Sequence, residues 1–283
     1  MLPHKQMTRH VPISVNEIVE SVHQAVEIGI TIVHLHARDQ LSGTPTFKSE
    51  IYGRIIKGIR SFAPELIVCV SLSGRKVNEF RQRAEPLLLQ DDLKPDMGSL
   101  TLGSTNFPYD ASINSPEMIQ ALAGEMKARG ILPELEVFDV GMINYAKYLA
   151  AKGLLRAPHY FNLLLGNIAS AQADLLHLGV MVRDLPPDSF WGLGGIGNAQ
   201  LTMNSLAIAV GGGVRVGLED NIWFDASRTE KASNNDLLHR IHILARMHDR
   251  AILSPSTFRK MLGLQEGFGK YGRLLPDEDA SNS

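Results

Sequence analysis

Apolar positions along the chain follow two rhythms that take turns. In "SVNEIVESVHQAVEIG" the residues Ile18, Val22 and Val26 fall four apart, the spacing of one helix face, and Ser14 and Glu17 open the stretch in capping-box register. "TIVHLHA" follows, a short apolar run of strand length. The exchange repeats with a helix in "SEIYGRIIKGIRSFAP", a strand in "LIVCVSLS", a helix from about Lys76 and a strand in "MGSLTLG". "NSPEMIQALAGEMKARG" predicts a helix with Ser115 as N-cap, Pro116 in the first turn and Gly130 at its end. Strands in "LPELEVFD", "YFNLLLGN", "FWGLGGIG" and "VRVGLED" then alternate with helices around "MINYAKYLAAKG", "AQADLLHLGVMVRDLP" and "AQLTMNSLAIAVGGG". Two closing helices fill about 235–264, and the polar tail, about 275–283, predicts disorder.

Regular β-α alternation with short links implies a parallel sheet. The pattern holds seven strands, and eight helices that could line the outside of the sheet, and no linker or composition break divides the chain. A TIM (β/α)8 barrel needs a strand ahead of each helix, and the first helix has none. The fold expected is therefore one barrel domain over 1–283, lacking its first strand, with a doubly wound sheet as the alternative. In such a barrel "TIVHLHA" and "VRVGLED" flank a vacant strand position, and the simplest account puts an apolar strand upstream of Met1.

Composition narrows the function classes. Hydrophobic residues make up 44% and charged residues 20%, enough for a large core. A formal charge of −2 gives no footprint for nucleic acid or an anionic membrane surface. Cys69 is the only cysteine, which excludes an internal disulfide and a thiolate zinc cluster. The start "MLPHKQMTRHVP" lacks the apolar stretch of a signal peptide, and no segment has the length of a membrane span. A cytoplasmic protein is expected.

Barrel active sites lie at the C-terminal ends of the strands. His34 and His36 fall there, two residues apart and so on one face of the strand. The last strand brings Arg215, Glu219 and Asp220 to the same end. Two imidazoles and one carboxylate match an open catalytic zinc site or the facial triad of non-haem iron. Histidines packed in the core against hydrogen-bonding neighbours are the plain alternative. Asp220 beside a metal-bound carboxylate is a candidate base, and Arg215 could hold a carboxylate in bidentate fashion. "SLSGRK" ends another strand with two hydroxyls, a glycine and two cations, where Ser71 and backbone amides could bind a carboxylate. Ser99 and Thr101 share one face, as do Glu134 and Glu136. "GGIGNAQ" could bind a phosphate or simply turn tightly.

The stretches "VHLHARD", "LKPDMGSLTLGSTNF", "PELEVFDVGMI", "FNLLLGN", "GGIGNAQL" and "VRVGLEDN" together resemble the β-keto acid cleavage enzymes, the family of 3-keto-5-aminohexanoate cleavage enzyme. The resemblance runs from about Val11 to the final helix. It implies a zinc-dependent TIM barrel with Zn2+ on His34, His36 and Glu219. It also implies substrate contacts from Ser71, Gly74 and Ser99, and catalytic roles for Asp220 and Arg215. Ser99 stands where the best-known member has threonine. Leu2 stands where the member acting on an aminated substrate has an acidic residue, and Gly213 where many relatives have histidine.

The implied reaction joins a β-keto acid to acetyl-CoA and releases acetoacetate and a new acyl-CoA. Asp220, oriented by Arg215, would take a proton from the acetyl methyl group, with Glu136 the next candidate base. A homo-oligomer, a tetramer by family, is implied, with no nucleic-acid or membrane partner. Two other classes fit the bare pattern: a metal-dependent aldolase or isomerase on the same barrel, and a binding barrel without activity.

Overall fold

The computed structural model describes residues 3–275, so Leu2 and the tail from 276 lie outside the described residues. Strands β1 (Ile32–Leu35), β2 (Ile67–Val70), β3 (Met97–Thr101), a small hairpin of β4 (Thr105–Asn106) and β5 (Ala111–Ser112), β6 (Leu132–Val137), β7 (His159–Leu165), β8 (Ser189–Gly195) and β9 (Gly213–Val214) follow in chain order. Helices α1 (Val15–Ile28), α2 (Ser49–Arg60), α3 (Phe80–Ala84), α4 (Pro116–Ala128), α5 (Val140–Ala151), α6 (Leu175–Asp184), α7 (Ala199–Ala209), α8 (Asn234–Met247) and α9 (Pro255–Leu262) alternate with them. The seven main strands form one parallel sheet in the order β1-β2-β3-β6-β7-β8-β9. The sheet curls into a TIM-barrel-like fold that stays open at one position, as the alternation predicts. Among the described residues nothing pairs with the outer edges of β1 and β9. A cleft of 720 Å³ lies there, lined by Ile32 and Val33 on one side and Gly213 and Val214 on the other.

Strand periodicity explains how both faces are filled. Val68 and Val70 of β2 point outward into the main core beneath the helices, while Ile67 and Cys69 point inward. Met97, Leu132 and Tyr160 join them inside, and Phe258, Leu262 and Leu264 from α9 and its end close that apolar floor. Phe258 meets the rings of Tyr160 and Phe190 edge-on. The floor thus ends the barrel at the N-terminal side of the strands and leaves the other end for polar residues. The predicted caps form: Ser14 and Glu17 make a capping box on α1, and Ser115 accepts from Met118 N on α4.

Two local expectations are corrected, and one element is new. The helix expected from about Lys76 begins at Phe80 instead. Residues before it are pinned to the hairpin, since Ile113 N donates to Gly74 O, and Pro86 then turns the chain into a 3-10 segment. The last strand is shorter than "VRVGLED": only Gly213 and Val214 hold the ladder to β8. After Arg215 N donates to Leu193 O the chain turns, with Asp220 N donating to Gly217 O. The segment "STNFPYDASIN" forms the β4–β5 hairpin, for which its sequence carries no apolar alternation.

Candidate active site

The polar end of the barrel is built from strand ends that face one another. His34 lies on β1 and His36 one residue beyond it, with their rings 5.0 Å apart. His36 Nε2 lies 3.2 Å from His34 Nε2 and 3.0 Å from Glu219 Oε1. Glu134, on β6, accepts from His34 Nδ1 at 2.6 Å and from Asn162 Nδ2 at 2.6 Å. With Glu134 occupying Nδ1, the Nε2 atom of His34 is the one left to face His36.

His34, His36 and Glu219 offer ligand atoms within 4.8 Å of one another, and a dication among them would displace the imidazole protons that otherwise bridge these contacts. The spacing suits an ion: ligands at zinc–nitrogen lengths on tetrahedral corners are about 3.3 Å apart. The His34–Glu134 pair also supplies the outer carboxylate that metal-bound imidazoles usually carry. The residues present therefore fit zinc on His34, His36 and Glu219. A second convergence of His34, Cys69 and Glu134 fits less well. Burial pushes the Cys69 thiol well above its usual range, so it stays protonated and a poor ligand.

Arg215 organises the rest. Its guanidinium donates to Glu136 Oε1 at 3.0 Å, to Glu219 Oε2 at 2.9 Å and to Asp220 Oδ2 at 3.4 Å, with Glu134 at 3.8 Å. Asn204 Nδ2 donates to the carbonyls of Leu193 and Arg215, which fixes the Arg215 backbone against β8. Gly197 N donates to Asp220 O, tying that residue to the loop after β8. Burial works against the charge on Arg215, but Asp220, Glu219, Glu136 and Glu134 outweigh it and raise its pKa. Burial raises the Asp220 pKa, with Arg215 acting against the rise. Burial also opposes charge on His34, yet Glu134 beside it lifts the pKa to about 9. His36 goes the other way, lowered by burial despite Glu219.

One cavity is lined by His34, His36, Arg215, Glu219, Asp220 and Ser71. The metal, catalytic and first substrate-binding candidates are thus brought together. Gly74 lies in the wall behind, where a side chain would collide with the carbonyl oxygen of Ile113. Ser99 is not brought to the cavity. It is buried, and its hydroxyl accepts from Leu72 N at 3.0 Å. Thr101, two residues nearer the strand end, lines the cavity and donates to Glu136 Oε2 at 2.7 Å. Gly213 sits on the open edge, opposite Gly192 and away from this cavity. Asn162 was not singled out above, although a lone amide inside the apolar run "YFNLLL" was its signal.

Comparison with known proteins shows the family and the fold. Residues 1–264 match the family described as beta-keto acid cleavage enzyme. The chain is 38% identical to a 3-oxoadipate:acetyl-CoA acetyltransferase of Cupriavidus necator, covering 93% of this chain and 91% of that protein. It is 36% identical to a 3-keto-5-aminohexanoate cleavage enzyme of Fusobacterium nucleatum, covering 93% of this chain and 94% of the relative. ObcA, solved without ligand, shares the fold with a TM-score of 0.77 at 21% identity over 90% of this chain. The chain spans 65% of ObcA, about two thirds of its length.

Proposed function

The chain belongs to the beta-keto acid cleavage enzyme family and acts as an acetyl-CoA-dependent transferase on β-keto acids, and we propose that it works with zinc and releases acetoacetate and a new acyl-CoA. The observation that carries the reading is the convergence of His34, His36 and Glu219 beside the Arg215–Asp220 pair in one cavity. A zinc ion on those three residues would supply Lewis-acid polarisation of the keto oxygen.

Asp220 is the general base. Its carboxylate, held by Arg215 Nε, removes a proton from carbon 2 of the β-keto acid. That carbon lies between a ketone and a carboxylate, so its proton is more acidic than the acetyl methyl proton expected from the sequence. The resulting carbanion forms a bond to the thioester carbon of acetyl-CoA. The acetyl carbon–sulfur bond breaks as that carbonyl re-forms, the released CoA thiolate bonds to the former ketone carbon, and the bond between that carbon and carbon 2 then breaks. The electron pair of the broken bond stays on carbon 2, Asp220 returns its proton there, and acetoacetate and the new acyl-CoA leave. Ser71 and the Gly74 backbone hold the carboxylate end, so orientation replaces entropy lost in solution. Thr101 keeps Glu136 on Arg215, and Ser99, by resemblance a substrate contact, acts from behind by holding the Leu72 amide. The whole chain is read as one domain of a cytoplasmic homo-oligomer, a tetramer by family. Among the described residues, no helix is long and apolar enough to cross a membrane.

The test is a panel of β-keto acids with acetyl-CoA, followed by mass spectrometry, before and after chelation. Acetoacetate and a matching acyl-CoA, lost on chelation and restored by zinc, are expected. Cleavage independent of acetyl-CoA would favour a metal-dependent aldolase. Zinc binding without turnover would favour an inactive barrel.

A further inference from the structure

The loop after β2 and the β4–β5 hairpin build a second feature of the cavity. Arg75 lines it, half-buried, on the wall that also carries Ser71, Ser73 and Ser112. Its guanidinium lies 3.7 Å above the ring centre of Phe107. Phe107 in turn meets Phe138 edge-on, with centroids 5.8 Å apart, and both rings line the same cavity. Stacking fixes the plane of the guanidinium while leaving its edge donors available. Among the described residues no carboxylate pairs with Arg75, whereas the adjacent Lys76 lies 3.9 Å from Asp110. Arg215 is different, since its charge is already taken up by carboxylates.

A half-buried arginine without a counter-ion, held flat in a substrate cavity, suits a ligand that brings its own negative charge. We propose that Arg75 is a second anion site, which selects β-keto acids carrying a carboxylate at the far end of the chain. This rests on the cleavage reading above, in which Ser71 and the Gly74 backbone take the first carboxylate. The phosphates of CoA are poor candidates, because the pantetheine arm holds them far from the thioester that must reach carbon 2 of the keto acid. A distal carboxylate on the keto acid meets the arginine inside the cavity.

The experiment compares two six-carbon substrates, 3-oxoadipate and 3-oxohexanoate, which differ in the charge of the tail. Wild-type enzyme should favour the dicarboxylate, and Arg75→Gln should lower its kcat/KM by about 10- to 100-fold, as expected for loss of a charge-assisted pair. The neutral-tailed substrate should change little, and Arg75→Lys should recover part of the loss. Equal loss for both substrates, or for neither, would overturn the assignment, as would a rise confined to the KM for acetyl-CoA. Calorimetry with adipate and hexanoate on the zinc-loaded protein separates this from the reaction itself. Arg75-dependent preference for adipate without any turnover would sink the cleavage reading and leave the anion site standing. Turnover without that preference would do the reverse.

Discussion

Two buried charge clusters sit at opposite ends of the barrel, and their balance differs. At the N-terminal end Asp96 accepts from Arg60 Nη2 at 2.8 Å and from Arg259 Nη2 at 2.7 Å, and Gly272 N donates to it as well. Both guanidinium groups lie against the ring of Tyr271, and further donors go to the carbonyls of Glu65, Leu66 and Gln265. Two guanidinium groups share one carboxylate, their other donors go to backbone carbonyls with Arg60 Nε left unpartnered among the described residues, and the cluster ties α2 and α9 to the start of β3. At the mouth one arginine faces four carboxylates, and the two imidazoles converge on one of them. That cluster is short of positive charge, which is what a site for a dication needs. A closed cluster holds the fold; an open one waits for a ligand.

The contrast is broken most severely by removing a ligand at the open end. His34→Ala or Glu219→Gln should abolish both metal content and activity while the circular-dichroism spectrum stays folded. Unchanged metal in both variants would end the zinc assignment. Next in size, Asp220→Asn keeps shape and loses the base, so turnover should fall by about 10²–10⁴-fold with zinc retained. Near-normal rates would move the proton abstraction elsewhere, with Glu136 the next group to test.

The closed end should respond in stability instead of chemistry. Asp96→Asn leaves two buried guanidinium groups without their carboxylate and should cost about 3–5 kcal/mol in urea unfolding, with zinc stoichiometry unchanged. Burial alone would raise the Asp96 pKa, but Arg60 and Arg259 outweigh it and the pKa is lowered. A carboxylate so depressed contributes its full stability above its unfolded value and loses it as pH falls through the folded one. Wild type should therefore lose stability on acidification below about pH 4, and Asp96→Asn should lose less over that window. Equal acid sensitivity would place the titrating group elsewhere. The smallest effect belongs to Glu134→Gln, which keeps the ligands but weakens the hold on His34. Zinc affinity should fall by about 10- to 100-fold, measured by competition with a chelator. An unchanged affinity would make the His34–Glu134 contact a packing feature only.

Much of this was readable along the chain, because helix and strand leave local periods. Ile18, Val22 and Val26 mark one helix face, and Ser14 with Glu17 marks its start, whatever lies around them. His34 and His36 were legible for the same reason: period two puts them on one face, and barrel strands end in the site. Seven strands for eight helices also pointed to the open position between β1 and β9. What no local period records is depth and partnership. Ser99 and Thr101 share a face, yet only the curl of the sheet decided that Thr101 reaches the cavity while Ser99 serves the Leu72 amide. Glu134 is a hundred residues from His34, and Arg75 meets Phe107 across a hairpin that its own sequence does not announce. Residue type and spacing determined which groups this protein has and which face of an element carries them. Tertiary closure decided which charges meet, because electrostatic pairing depends on distance through space, and strands far apart in sequence become neighbours only when the sheet curls.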